Sequence, residues 1–210
     1  MDIILIGTDI KIKLDDYWQF IQPKPEDPKN LLIIGLNTTE AYSLIFIQPI
    51  AESELIPIGN ENDLIKGIRQ YLKNNQGFIE VGTNVEKNPY SYSVIKTLIE
   101  TNCIQYGINI HLKINELCFQ IQGFFEENGT TGIRETQIYE ECRYKNVIQV
   151  EEKNGKLNIF GWTEDPYDKN YKKGQLMNIA EKEIFDEYYP HHPLSEARKL
   201  IKKFIEINEN

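Results

Sequence analysis

Two adjacent histidines, His191 and His192, lie between Pro190 and Pro193, with Asp165, Asp168 and Glu181 upstream. Two imidazoles and several carboxylates could ligate zinc or iron, which would make the chain a metal-assisted hydrolase. The spacing does not define such a site: a His-His pair between prolines is not an HExxH helix, and the other ligands fall on separate elements. The plain alternative is an elbow between helices in which one ring packs or caps. On that reading no metal, cofactor or catalytic residue is expected.

Other chemistries are weaker still. Cys103, Cys118 and Cys142 include no CxxC pair, which argues against zinc ribbons and thioredoxin-like redox motifs. Cys142 lies between Glu141 and Arg143, and an acidic neighbour raises a thiol pKa. Cys118 should face away from the side of its strand that carries Leu117 and Phe119. Gly129-Thr130-Thr131-Gly132 lacks the Lys-Ser/Thr of a phosphate-binding loop, so it is expected to be a hairpin loop leading into a strand.

What remains are groups suited to binding. Arg134 and Glu135 follow the glycines as a half-buried pair that would organise the loop. Glu140 belongs to a run of acids, with Glu135, Glu141, Glu151 and Glu152, that reads first as a solvated face and otherwise as a docking surface for a basic protein. Trp162, Asp165 and Tyr167 lie in an acidic aromatic loop. The expected binding residues are therefore Arg134, Glu135, Glu140, Trp162, Asp165 and Tyr167.

These groups need a scaffold, and the clearest one runs through residues 108–139. Ile108, Ile110, Leu112 and Ile114 alternate with Asn109, His111, Lys113 and Asn115; a turn at Asn115-Glu116 leads into a second alternation over residues 117–122. Period-two alternation with one apolar and one polar side is an antiparallel meander with one face buried and one wet. A third run at 133–139 is read as another strand. Earlier, residues 3–14, 31–36 and 41–49 read as strands and 62–74 as a helix capped by Asn62 or Asp63. Strands are expected at 78–82 and 92–100, and a last pair at 148–159 around Asn154-Gly155. Residues 177–188 and 195–207 have helical spacing; the second is amphipathic, with Ala197, Leu200, Ile201, Phe204 and Ile205 on one side. The expected fold is α+β: a curved antiparallel sheet with helices on its faces and a C-terminal helical pair. It is expected as a single domain, 1–210, with a sheet-rich core at 1–160 and a helical extension at 161–210.

The strands feeding residues 123–140, GFFEENGTTGIRETQIYE, with the order of strands and helix before them, resemble the PsbP-like fold. The resemblance is topological and covers roughly residues 1–150. That fold is shared by photosystem accessory proteins and a nuclear-transport cofactor family, so it implies a binding or accessory role without catalysis. It carries over no site residue, and the chain departs from it after Phe160.

Composition narrows the partners. The chain has 210 residues, 40% hydrophobic and 26% charged, enough to bury a core without disulfides. Its net charge of −9 argues against nucleic acid and against an anionic membrane surface, and suits a basic protein partner. No stretch approaches the ~18 apolar residues of a membrane span. An odd cysteine count and an acidic, short-run N-terminus fit a cytoplasmic protein. The expectation is a non-catalytic cytoplasmic binding module, such as an immunity- or chaperone-like partner of a basic protein. The alternative is the hydrolase built on His191 and His192. Oligomeric state is left open.

Overall fold

The computed structural model describes residues 1–100 and 103–208. A small hairpin, β1 (Asp2–Ile4) with β2 (Lys11–Lys13), precedes β3 (Trp18–Ile21), β4 (Leu32–Asn37) and β5 (Ala41–Ile50). Helix α1 (Glu61–Tyr71) leads to β6 (Gln76–Asn84), β7 (Tyr90–Glu100), β8 (Cys103–Ile114) and β9 (Leu117–Glu127). Helix α2 (Ile133–Tyr144), the hairpin β10 (Gln149–Lys153) and β11 (Lys156–Phe160), short strands β12 (Thr163–Glu164) and β13 (Met177–Asn178), and α3 (Pro193–Ile205) complete the order.

Seven strands form one antiparallel sheet in the order β3-β4-β5-β9-β8-β7-β6. The alternation in β8 and β9 sets its inner face. Ile110 opposes Ile121 and Leu112 opposes Phe119. All four are at most 1% exposed. Asn115 accepts φ 53° at the hairpin, a conformation that asparagine tolerates. Helix α3 closes this face with Leu194, Ala197, Leu200, Ile201 and Phe204, and the β1–β2 hairpin adds Ile3, Leu5, Ile12 and Leu14. The helix covers the face because its apolar residues recur at helical spacing, while Lys199, Lys202 and Lys203 stay on its outer side. The expected α+β class and antiparallel sheet are thus present.

The outer face is covered on one side only. Helix α1 and the following chain pack Leu64 against Phe78 and Val81, with Ile95 and Tyr167 alongside. One row across the sheet makes the asymmetry plain: Phe78 opposes Ile95, Ile95 opposes Gly107, Gly107 opposes Phe124, and Phe124 opposes Leu44. The first two lie under α1, whereas Phe124 is 41% exposed.

Four local expectations are corrected. Residues 133–139 are not a strand but the start of α2. The odd-even alternation there is outweighed by Arg134, Ile138 and Cys142, buried at a spacing of four residues as one helix stripe. The Gly129–Gly132 loop therefore leads into a helix, with Gly132 at its N-cap in the left-handed conformation. The helix α1 is capped by Asn60, whose side chain accepts from the Asp63 amide. Residues 177–188 hold β13 and two short 3-10 turns, Ile179–Glu181 and Glu183–Phe185, in place of an α-helix, so the C-terminal α-helix is α3.

Candidate functional site

The strongest concentration of buried polar chemistry lies where α2, α3 and the 3-10 turns meet the end of the sheet. Arg134, whose side chain is fully buried, is its centre. Its Nε donates to the Ala180 carbonyl at 2.7 Å, its Nη1 to Ser195 Oγ at 2.9 Å, and its Nη2 to the Lys182 carbonyl at 3.1 Å. Nη2 also lies 2.9 Å from an Asp186 oxygen. The planar guanidinium can meet these acceptors at once, which a lysine could not.

Arg198 on α3 repeats the pattern. It donates to Glu80 Oε2 on β6 at 2.7 Å, to Asp186 at 3.1 Å and to the Glu181 carbonyl at 2.8 Å. Lys96, on the inner side of β7, donates to both Glu181 oxygens at 2.8 and 3.1 Å, and the Tyr106 hydroxyl donates to the same carboxylate at 3.2 Å. Burial pushes the Tyr106 hydroxyl pKa well above its ordinary value, and the Glu181 charge adds to the shift. These arginines and this lysine hold the 3-10 turns against sheet and helices. A charge that deep is tolerable because each has a carboxylate partner.

Beside this network stands a different group. The Nε2 of His192 is 3.8 Å from Glu127 Oε1 and 3.8 Å from Glu135 Oε1. His192 is held by its backbone position as the N-cap of α3, where its Nδ1 accepts from the Leu194 amide at 3.2 Å. That bond places the ring proton on Nε2. Glu127, at the end of β9, accepts with both oxygens from the Gly132 amide at 3.0 Å. Glu135 comes from the first turn of α2. Burial pushes the Glu135 carboxyl up to about 7, with the nearby Glu127 and Glu181 charges adding to it. Burial also raises Glu127, and burial with the Arg134 and Arg198 charges drives His192 down to about 3.

The residues picked from the sequence divide among several places. Arg134 and Glu135 join His192 in this region. Asp165 and Tyr167 meet elsewhere, under α1. Asp165 pairs with Arg69 at 2.8 Å and accepts from the Tyr167 and Asp168 amides, while the Tyr167 hydroxyl accepts from the Val81 amide at 2.6 Å. Trp162 packs edge-on against Tyr139 of α2 at 5.4 Å. Glu140 is exposed on α2, with Arg143 at 3.8 Å. The two histidines diverge: His191 is half-exposed and faces Glu196 at 3.3 Å, and Glu181 is committed to Lys96. The thiols of Cys118 and Cys142 are buried, and burial raises both above their ordinary value, with Glu52 and Glu141 respectively adding to it. Neither is an activated nucleophile.

Sequence reasoning passed over Glu127, Asp186, Ser195, Arg198, Lys96 and Glu80. One signal was present: Lys96 shares the inward side of β7 with Val94 and Tyr92, so it breaks an otherwise apolar inner face.

No family model matches the chain, and no curated protein matches it. Among solved structures, it is similar in topology to the solution structure of cyanobacterial PsbP (CyanoP) from Synechocystis sp. PCC 6803. The identity is 10%, the TM-score 0.37, and the match covers 64% of this chain and 83% of that one. No helix among the described residues is long and apolar enough to cross a membrane.

Proposed function

We propose that this chain is a non-catalytic cytoplasmic binding module that docks a basic protein on the uncovered half of its sheet. The observation that carries the reading is the outer face of β4, β5 and β9. Tyr42, Leu44, Phe46 and Phe124 stand there side by side, with Phe46 and Phe124 edge-to-face at 6.4 Å. Tyr42 is 46% exposed and Phe124 41%. Among the described residues no element covers this apolar strip, the usual mark of an interaction surface, and aromatic residues dominate the energy of such surfaces. Glu126 and Glu40 lie at its end, and the chain's net charge of −9 favours a positively charged partner. An immunity- or chaperone-like role fits that electrostatic profile. A hydrolase with His191 and His192 as joint ligands has less support, because their rings serve different carboxylates.

The test is affinity capture from the native lysate at low ionic strength, with wild-type protein and the Tyr42→Asp, Phe124→Asp variant run in parallel. The expected result is a basic protein retained by the wild type, released by salt and missed by the variant. No stable partner at low salt, or equal retention by both, would refute the reading.

A further inference from the structure

We propose that Glu127, Glu135 and His192 form a binding site for one divalent transition-metal cation of the zinc type. Each offers one ligand atom, and the three atoms lie within 4.8 Å of one another. Ligand bonds of about 2.0–2.2 Å to a tetrahedral ion place ligand atoms on the order of 3.5 Å apart. The 3.8 Å separations from His192 to each carboxylate need only a small contraction to reach that spacing. The donor set, one imidazole with two carboxylates, suits zinc, iron or manganese, with water completing the shell.

Two observations beyond the clustering of acids point to a ligand. His192 is 6% exposed, yet its Nε2 has no hydrogen-bond partner, and Glu135 Oε2 is likewise buried without one. Buried polar atoms are nearly always satisfied, so an orphan His192 Nε2 with a carboxylate oxygen on either side at 3.8 Å implies something between them. The second observation is the distribution of charge. Glu80, Glu181 and Asp186 each have an arginine or lysine partner, whereas Glu127 and Glu135 have none among the described residues. Arg134, the nearest cation, is paired with Asp186 at 2.9 Å and does not pair with either of these carboxylates. Glu127 and Glu135 keep 16% and 28% of their side chains exposed, which leaves a route for the ion.

Binding has a definite local consequence. The proton on His192 Nε2 must leave that atom, and the ring that ligates through Nε2 carries its proton on Nδ1. Nδ1 then ceases to accept from Leu194. The cap bond from Leu194 and the 3.4 Å contact of Nδ1 with Arg134 Nη1 are given up together, in exchange for a metal bond set with two carboxylates in it. The Leu194 amide is therefore a reporter of occupancy.

The experiment uses the full chain, freed of metal by a chelator and titrated with Zn²⁺ alone, followed by calorimetry and by amide NMR. One equivalent should bind, the Leu194 amide should shift, and affinity should fall by roughly tenfold or more in Glu135→Gln and in His192→Asn. Asparagine keeps the cap for Leu194 while removing the ring nitrogen, and Glu135→Gln stands as the second variant if His192→Asn does not fold. His191→Ala should bind as the wild type does. The proposal is overturned by absence of saturable binding, by binding that survives both site variants, or by binding lost in His191→Ala.

Discussion

Arg134 and Asp186 meet at 2.9 Å, and the arginine side chain is fully buried. Asp186 also accepts from Ser195 and Arg198, so one carboxylate ties α2, α3 and the turn before α3 together. The pair is the interior fastening of the C-terminal third of the chain. Removing the arginine leaves buried carbonyls without a donor, while Arg198 still neutralises Asp186.

Arg134→Met should lower unfolding free energy by about 1–3 kcal/mol, since the buried Ala180 and Lys182 carbonyls lose their donor while Asp186 keeps Arg198. Removing the exposed Lys145–Glu141 pair on the same helix, by Lys145→Ala, should change stability far less, because solvent screens that pair. Urea unfolding of both variants checks the contrast; equal losses would contradict it.

Stability should fall as pH drops below the ordinary histidine range, with His111 contributing. Burial holds its pKa below 6.5, and its Nδ1 accepts from the Ile56 amide at 3.3 Å. The unfolded chain takes up a proton below about 6.5 that the folded chain refuses, so the stability is present above that pH and lost below it. Thermal melts from pH 7.5 to 5 should show a shallower decline in His111→Gln than in the wild type.

Two glycines should respond to alanine with opposite sign. A Cβ at Gly77 on β6 would lie 1.6 Å from the Gln175 carbonyl oxygen, so the loop before β13 must move. Gly77→Ala should destabilise by about 1–3 kcal/mol through this overpacking. Gly67 lies on the exposed side of α1 with nothing within 4 Å of the added carbon. Gly67→Ala should stabilise by about 0.5–1 kcal/mol, because alanine is the better helix former. Melting temperatures of the two variants, measured side by side, decide it.

Phe124→Asp should leave the fold intact, at a loss of about 1 kcal/mol for its ring contact with Phe46. Unchanged far-ultraviolet circular dichroism with a small drop in melting temperature is the expected outcome. A collapse of the fold would mean that the strip is core and not a surface.

Much of the scaffold was legible in the chain itself. The alternation of Ile108, Ile110, Leu112 and Ile114 determined which side of β8 is buried, because successive strand residues must point to opposite faces. Asn154-Gly155 marked the β10–β11 hairpin, and both residues adopt the positive φ it requires. The apolar stripe of α3 announced that this helix must cover something. These are local patterns, and geometry within a few residues suffices to read them. Tertiary structure alone decided that α3 covers the inner face, that α2 is a helix where an alternating run suggested a strand, and that Tyr42 and Phe124 remain uncovered. It also chose partners far apart in sequence, such as Arg198 with Glu80, 118 positions away, and His192 with Glu127 and Glu135. A charged residue does not encode its partner. Which carboxylate it meets follows from where the packed core returns the chain, and the low dielectric there is what makes the pairing obligatory.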